Sequence, residues 1–209
     1  MQIELLSLSQ APVKATSMWD GAQRVVEAHG RYADAVARGN CYTVSDTAGH
    51  LTPAGLSTAP VSVSLYNPVG SGVFLSLIYA AANISVVFAA IATVWVGVNP
   101  TGSAATTGTK IAVQNCNGGG GQGKVQGLTT ATLPATPTIF AELGQGLTGA
   151  VNLLPYSPSL FKWFDGLIGV GPGGALSIQM AAASAAAATW ATWIWEEVPQ
   201  SGSGPSLTA

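Results

Sequence analysis

The side chains able to do chemistry are few and scattered. His29 and His50 are the only histidines and Cys41 and Cys116 the only cysteines in 209 residues. None stands at the close, paired spacing that zinc sites use, so all four read as structural side chains. The cysteines read as small thiols at home in a reducing cytoplasm, since no spacing rule pairs them. A hydrolytic nucleophile would need a nearby histidine and acid. No G-x-S-x-G occurs, and Ser71 in Gly70-Ser71-Gly72 falls in a turn. Glu196 and Glu197 are adjacent carboxylates, but on a strand neighbours point to opposite faces and cannot converge as an acid and base pair. Gly118 to Lys124 matches the G-x-x-x-x-G-K part of a phosphate-binding loop, yet Val125 stands where Ser or Thr should hold magnesium. No helix pattern follows it, so the glycines read as a surface loop. No catalytic residue, cofactor or metal ligand is assigned, and the chain reads as a non-enzyme.

The elements that carry these residues are built from an unusual composition. Charged residues are 8% of the chain and hydrophobic ones 48%, with mean hydropathy +0.39, against roughly 25% charge in ordinary soluble proteins. Disordered chains show the reverse balance. So few charges cannot cover a lone monomer, and much of the surface is expected to face another protein. The net charge is -2 and the seven basic residues are dispersed, which argues against direct nucleic-acid binding. Met1 to Gln10 carries Glu4 and lacks the basic start and apolar run of an export signal.

Alternation of apolar and polar residues predicts a mainly β protein. Val61, Val63 and Leu65 alternate with Ser62 and Ser64. The turn Asn67 to Gly72 follows, then Val73 to Tyr79, which predicts a hairpin. The uncharged run Val73 to Val98 is long enough to span a bilayer. Its β-branched and aromatic residues, its Asn83 and Ser85, and the remoteness of Arg38 and Lys110 make it two or three buried strands, with no membrane partner. Further strands are expected at Cys41 to Ser45, Lys110 to Gln114, Ile139 to Leu143 and Leu160 to Phe164, with Leu128 to Pro137 as an extended connection. Phe164 to Pro199 then reads as strand, tight turn, strand, alanine-rich connection and a tryptophan-rich closing strand.

Before the sheets, Ser17 as an N-cap and Trp19, Ala22, Val25, Val26, His29, Tyr32, Ala33 and Val36 at three-to-four spacing predict an amphipathic helix ending at Gly39-Asn40. The organisation is then an N-terminal arm and helix over 1–39, a β-sandwich over 40–199 and a flexible tail over 200–209. In the closing strand Thr189, Ala191, Trp193 and Trp195 share one face, and Trp190, Thr192, Ile194 and Glu196 the other. Both faces carry large apolar groups, so both are expected to be covered. Trp19, Val26 and Tyr32 of the helix, with Trp190, Trp193 and Trp195, are the candidate subunit or shell interface.

Three segments together, His29 to Asn40, Tyr66 to Val73, and Phe164-Asp165-Gly166 with Gly171-Pro172-Gly173 and Trp195 to Pro199, resemble a family of tailed-bacteriophage structural proteins, the capsid decoration or cement proteins. This chain has Val170-Gly171-Pro172-Gly173 where that pattern runs Val-Pro-Pro-Gly. The resemblance implies an antiparallel, jelly-roll-like sandwich, a homotrimer, the major capsid protein as partner, and a place on the capsid surface of the virion. The competing reading is a phage tail-fibre or receptor-binding sandwich that offers its glycine loops to a host glycan.

Overall fold

The computed structural model describes residues 3–6, 12–17, 23–24, 31–51, 53–84, 92–100, 104–119, 122–146, 159–183 and 189–200. The chain divides into two compact units, Met1–Asp34 and Ala35–Ala209. In the first, strands β1 (Ile3–Leu6), β2 (Pro12–Ser17) and β3 (Gln23–Arg24) form a small antiparallel sheet in the order β1-β2-β3.

The amphipathic helix expected from Ser17 to Arg38 is not confirmed. Among the described residues helix is confined to α1 (Ala33–Ala37), and Gln23–Arg24 pair as strand with Thr16–Ser17; residues 18–22 and 25–30 of the expected helix lie outside the described residues. Gly21 and Gly30 interrupt the apolar pattern, and each costs a helix about 1 kcal/mol relative to alanine. The end of the pattern was correctly placed. Gly39 takes φ 72°, and the Gly39 and Asn40 amides donate back to the Val36 and Ala35 carbonyls, the left-handed glycine stop.

The second unit is mainly β, with two antiparallel sheets enclosing one core. Its strands are β4 (Cys41–Ser45), β5 (Val61–Tyr66), β6 (Val73–Ile84), β7 (Ala92–Asn99), β8 (Thr107–Ile111), β9 (Gln114–Asn115), β10 (Gln126–Thr132), β11 (Thr138–Gly146), β12 (Ser159–Val170), β13 (Ala175–Met180) and β14 (Thr189–Pro199). One sheet runs β11-β7-β13-β5-β10-β8 and the other β12-β6-β14-β4-β9. Leaving out β8 to β10, the pairing is nested: β4 with β14, β5 with β13, β6 with β12 and β7 with β11. The excursion β8 to β10 extends both sheets at one side, β10 beside β5 and β9 beside β4.

Nesting overturns the expected hairpin. β5 and β6 are consecutive strands joined by a glycine turn, but they lie in different sheets, so Asn67 to Gly72 is a corner between layers. Asn67 is fully buried and holds that corner. Its Nδ2 donates to the carbonyls of Val73 and Val170 at 2.9 and 3.0 Å, and its Oδ1 accepts the Ser71 hydroxyl at 2.6 Å. The opposing corner, between β12 and β13, is Gly171-Pro172-Gly173-Gly174. Proline sets the first central position, Gly173 supplies the positive φ of 89° that a type II turn demands at the second, and the Gly173 amide donates to the Asn67 carbonyl at 2.7 Å. The two turns quoted in the resemblance are thus one bonded unit.

The core is the set of inward residues of both sheets, among them Leu65, Leu75, Leu77, Val94, Val96, Leu176, Ile178, Trp193 and Trp195. The run Val73 to Val98 contributes β6 and β7, as expected of buried strands. No helix among the described residues is long and apolar enough to cross a membrane. Leu128 to Pro137, expected as a connection, contributes to strand β10 before it turns over the sheet.

The two outer faces differ. On the six-stranded sheet, Tyr66, Leu128, Ala131, Leu133 and Ala175 form a second buried cluster. There the Leu133 amide donates to the Thr58 carbonyl, the Ser57 amide to Gln179 Oε1, and Asn99 Nδ2 to the Ala135 carbonyl. Loops of this unit thereby cover that face. The five-stranded sheet has no such second cluster on its outer face among the described residues.

Candidate interaction surface

One cluster brings an acid, an imidazole and a hydroxyl together. His50 Nε2 lies 2.6 Å from Asp46 Oδ2, and the Ser62 hydroxyl donates to the same oxygen at 2.7 Å. In a hydrolytic triad the imidazole stands between acid and hydroxyl; here the carboxylate does. Ser62 is 1% exposed and its oxygen also accepts the Ala191 amide at 2.9 Å, so the hydroxyl is committed on both sides. Ser62 sits at φ 59°, where β5 bulges against β13, and the cluster ties that bulge to β14 and to the chain leaving β4. Its work is structural. Among the described residues no group of three His, Cys, Asp or Glu is arranged to hold a metal ion.

The end of the glycine-rich stretch is held by a carboxylate of the chain's own. In a phosphate-binding loop, backbone amides would cradle the anion; here the amides of Lys124 and Val125 donate to the Glu197 carboxylate at 3.0 and 2.8 Å. Glu197 is 5% exposed, so its carboxylate is buried against the amides that it accepts from. Gly123 is required at this contact, because a Cβ there would lie 2.6 Å from Glu197 Oε1. A groove of about 400 Å³ beside the loop is lined by Lys110 to Val113 and Gln122 to Gln126, with no carboxylate, histidine or cysteine. Glu197→Ala should strand two amides and lower stability by about 2–3 kcal/mol. Limited trypsin digestion reports it through cleavage after Lys124; a variant as resistant as wild type would show that the clip does not hold the loop.

The remaining feature is the outer face of the five-stranded sheet. Antiparallel register aligns Trp163, Tyr79, Ile194 and Thr43 across β12, β6, β14 and β4. The next row is Phe161, Ala81, Thr192 and Ser45, and a third holds Ser159, Asn83 and Trp190. No charged residue lies in these rows. Tyr79 packs against Trp163 and Phe161, with ring centroids 4.9 and 6.1 Å apart, yet Phe161 and Trp163 remain 56% and 55% exposed. They stand on β12, an edge strand. At Asp165 and Gly166, with φ of 52° and 82°, β12 bulges out of register with β6. This leaves Leu167 81% exposed on the same strand. The Phe-Asp-Gly segment of the resemblance is this bulge, where Asp and Gly suit a left-handed backbone. No protein family, curated protein or solved structure matches the chain.

The candidate interface residues divide three ways. Trp193 and Trp195 are 0% exposed, packed between this unit's own two sheets, and are corrected from interface to core. The predicted alternation of β14 is observed, with Thr189, Ala191, Trp193 and Trp195 buried and Trp190, Thr192, Ile194 and Glu196 half-buried. Trp190 is therefore on the outer face. Tyr32 is half-buried, with the Arg31 guanidinium 5.9 Å from its ring centroid. Trp19 and Val26 lie outside the described residues. Sequence reasoning missed Phe161, Trp163 and Tyr79. The signal was present: Phe161 and Trp163 are two apart, hence on one face of a strand, while Leu160 and Phe164 take the core side.

Proposed function

We propose that this chain is a structural interaction protein, a capsid decoration or cement protein of a tailed bacteriophage that binds the outside of the major capsid protein shell and stabilises it. The observation that carries the reading is the set of uncharged, aromatic rows across β12, β6 and β14, with Phe161 and Trp163 exposed on the edge strand β12. Apolar patches of this kind mark protein contacts, and aromatic residues with few charges are what interface cores select. Among the described residues, Asp46, His50 and Ser62 contact one another and Glu197 is held by backbone amides. The nested pairing of eight strands supports the jelly-roll architecture that the resemblance implies, a form shared by viral capsid domains. The resemblance extends the proposal to a homotrimer on the virion surface, with the N-terminal segment reaching the shell. Many weak copies acting together would supply the stabilisation.

Imaging of purified particles, with copy number from quantitative mass spectrometry, tests this. Many copies on the head are expected. A few copies at the tail tip would replace the proposal with the receptor-binding module, and absence from particles would end both.

A further inference from the structure

Two thiols that nothing in the sequence pairs are brought together by the fold. Cys41 opens β4 and is buried; Cys116 follows β9 and is half-buried. Tyr42 pairs with Asn115 and Thr43 with Gln114, and one further step of that register sets Cys41 opposite Cys116. The Cys116 amide donates to the Cys41 carbonyl at 2.9 Å, and the sulfurs are 3.1 Å apart. The backbone around them is fixed independently of the sulfurs. Asn115 Nδ2 donates to the Gly39 carbonyl at 2.6 Å, and the Asn117 and Gly118 amides donate to Asn115 Oδ1 and its carbonyl, both at 3.0 Å. Directly opposed, bonded residues of an antiparallel pair have Cα atoms about 5.5 Å apart, inside the range a disulfide spans.

We propose that Cys41 and Cys116 are a redox-active pair that closes to a disulfide on meeting a small-molecule disulfide oxidant, stapling β4 to the turn after β9. The order of events follows from burial. The Cys41 thiol is pushed up to about 12 by burial, then by its hydrogen bond with Cys116 and the charges of Cys116 and Glu196, so it is protonated at neutral pH. The more accessible Cys116 reacts first. It loses its proton, and its thiolate attacks the oxidant's S–S bond; one thiolate leaves, takes up a proton, and a mixed disulfide remains on Cys116. Cys41 sulfur then attacks the Cys116 sulfur and expels the second thiolate, which takes the Cys41 proton. Two protein thiols are oxidised and one small disulfide is reduced to two thiols. Because the thiolate is the nucleophile and Cys41 stays buried, the second step quickens as pH rises, and the mixed disulfide accumulates transiently at neutral pH.

The staple acts at one edge of the sheet. β9 is a two-residue edge strand, and the bond joins residues 75 apart in sequence, a long loop whose closure restricts the unfolded chain strongly. The test uses the folded full-length protein, incubated with oxidised glutathione and followed by thiol titration, intact mass and peptide mapping. Expected are loss of both thiols, a mass lighter by two hydrogens, a linked peptide pair containing Cys41 and Cys116, and reversal by dithiothreitol. The melting midpoint of the oxidised form should rise by about 5–10 °C. Cys41→Ser should stop at a glutathione adduct on Cys116, and Cys116→Ser should leave Cys41 unmodified. A lasting adduct on the unmutated protein, disulfide-linked dimers, two persistent thiols, or an oxidised form that melts no higher than the reduced one would each overturn the proposal.

Discussion

Trp193→Ala is expected to lower unfolding free energy by about 4–5 kcal/mol, the upper part of the range for removing a buried aromatic side chain. Trp193 is 0% exposed and stands on the inner face of β14, the central strand of its sheet. Its Nε1 donates to the Val63 carbonyl of the opposite sheet at 2.8 Å. The substitution opens a cavity between the layers and removes a hydrogen bond that crosses it. Domains are stable by only about 5–15 kcal/mol, so such a loss removes a large share of the margin. Trp193→Phe keeps most of the volume and loses the bond, and should cost about 1–2 kcal/mol. Urea denaturation followed by circular dichroism measures both. An alanine variant within about 1 kcal/mol of wild type would show that the tryptophan is not the inter-sheet anchor.

This expectation reverses the first reading of the same residue, and the reason shows what a sequence holds. Alternation in β14 correctly divided its residues into two faces, and by the same rule put Glu197 with Trp195, on the buried side. Alternation does not say which face is inward. Here that is decided by pairing with β6 and β4, strands far away in sequence. The corner at Asn67 to Gly72 teaches the same point. Its glycines at φ 77° and 70° suit a hairpin or a change of sheet equally, and only the remote partners of β5 and β6 distinguish the two. The bonds from Asn67 to Val170, of Glu197 with Lys124 and Val125, and between Cys41 and Cys116 join residues 72 to 103 apart; no local pattern announces them. What was legible was local: strand alternation, the turn residues, and the glycine stop after α1. The helix expected before that stop is not confirmed: among the described residues only Ala33–Ala37 are helical, and Gln23–Arg24 pair as strand.

The bare sheet face leads to the second large effect. Phe161→Ser with Trp163→Ser should leave the fold intact while reducing binding to particles at least 100-fold. Both side chains are more than half exposed and sit on an edge strand, so their loss costs the isolated sandwich little beyond their contacts with Tyr79. At an interface the balance changes. Aromatic anchors at the centre of a desolvated contact each contribute about 2 kcal/mol or more, and two of them together exceed the roughly 2.7 kcal/mol that a 100-fold change requires. The polar replacements also leave hydroxyls to be desolvated against the partner. Particles lacking the protein, incubated with wild type or the double variant and separated by sedimentation, give the readout as copies retained. Thermal melting of the unbound variant within about 3 °C of wild type, roughly 1 kcal/mol, establishes that the loss belongs to the surface and not to unfolding. Full occupancy by a folded double variant would place the attachment surface elsewhere on the molecule and remove the observation on which the proposed function rests.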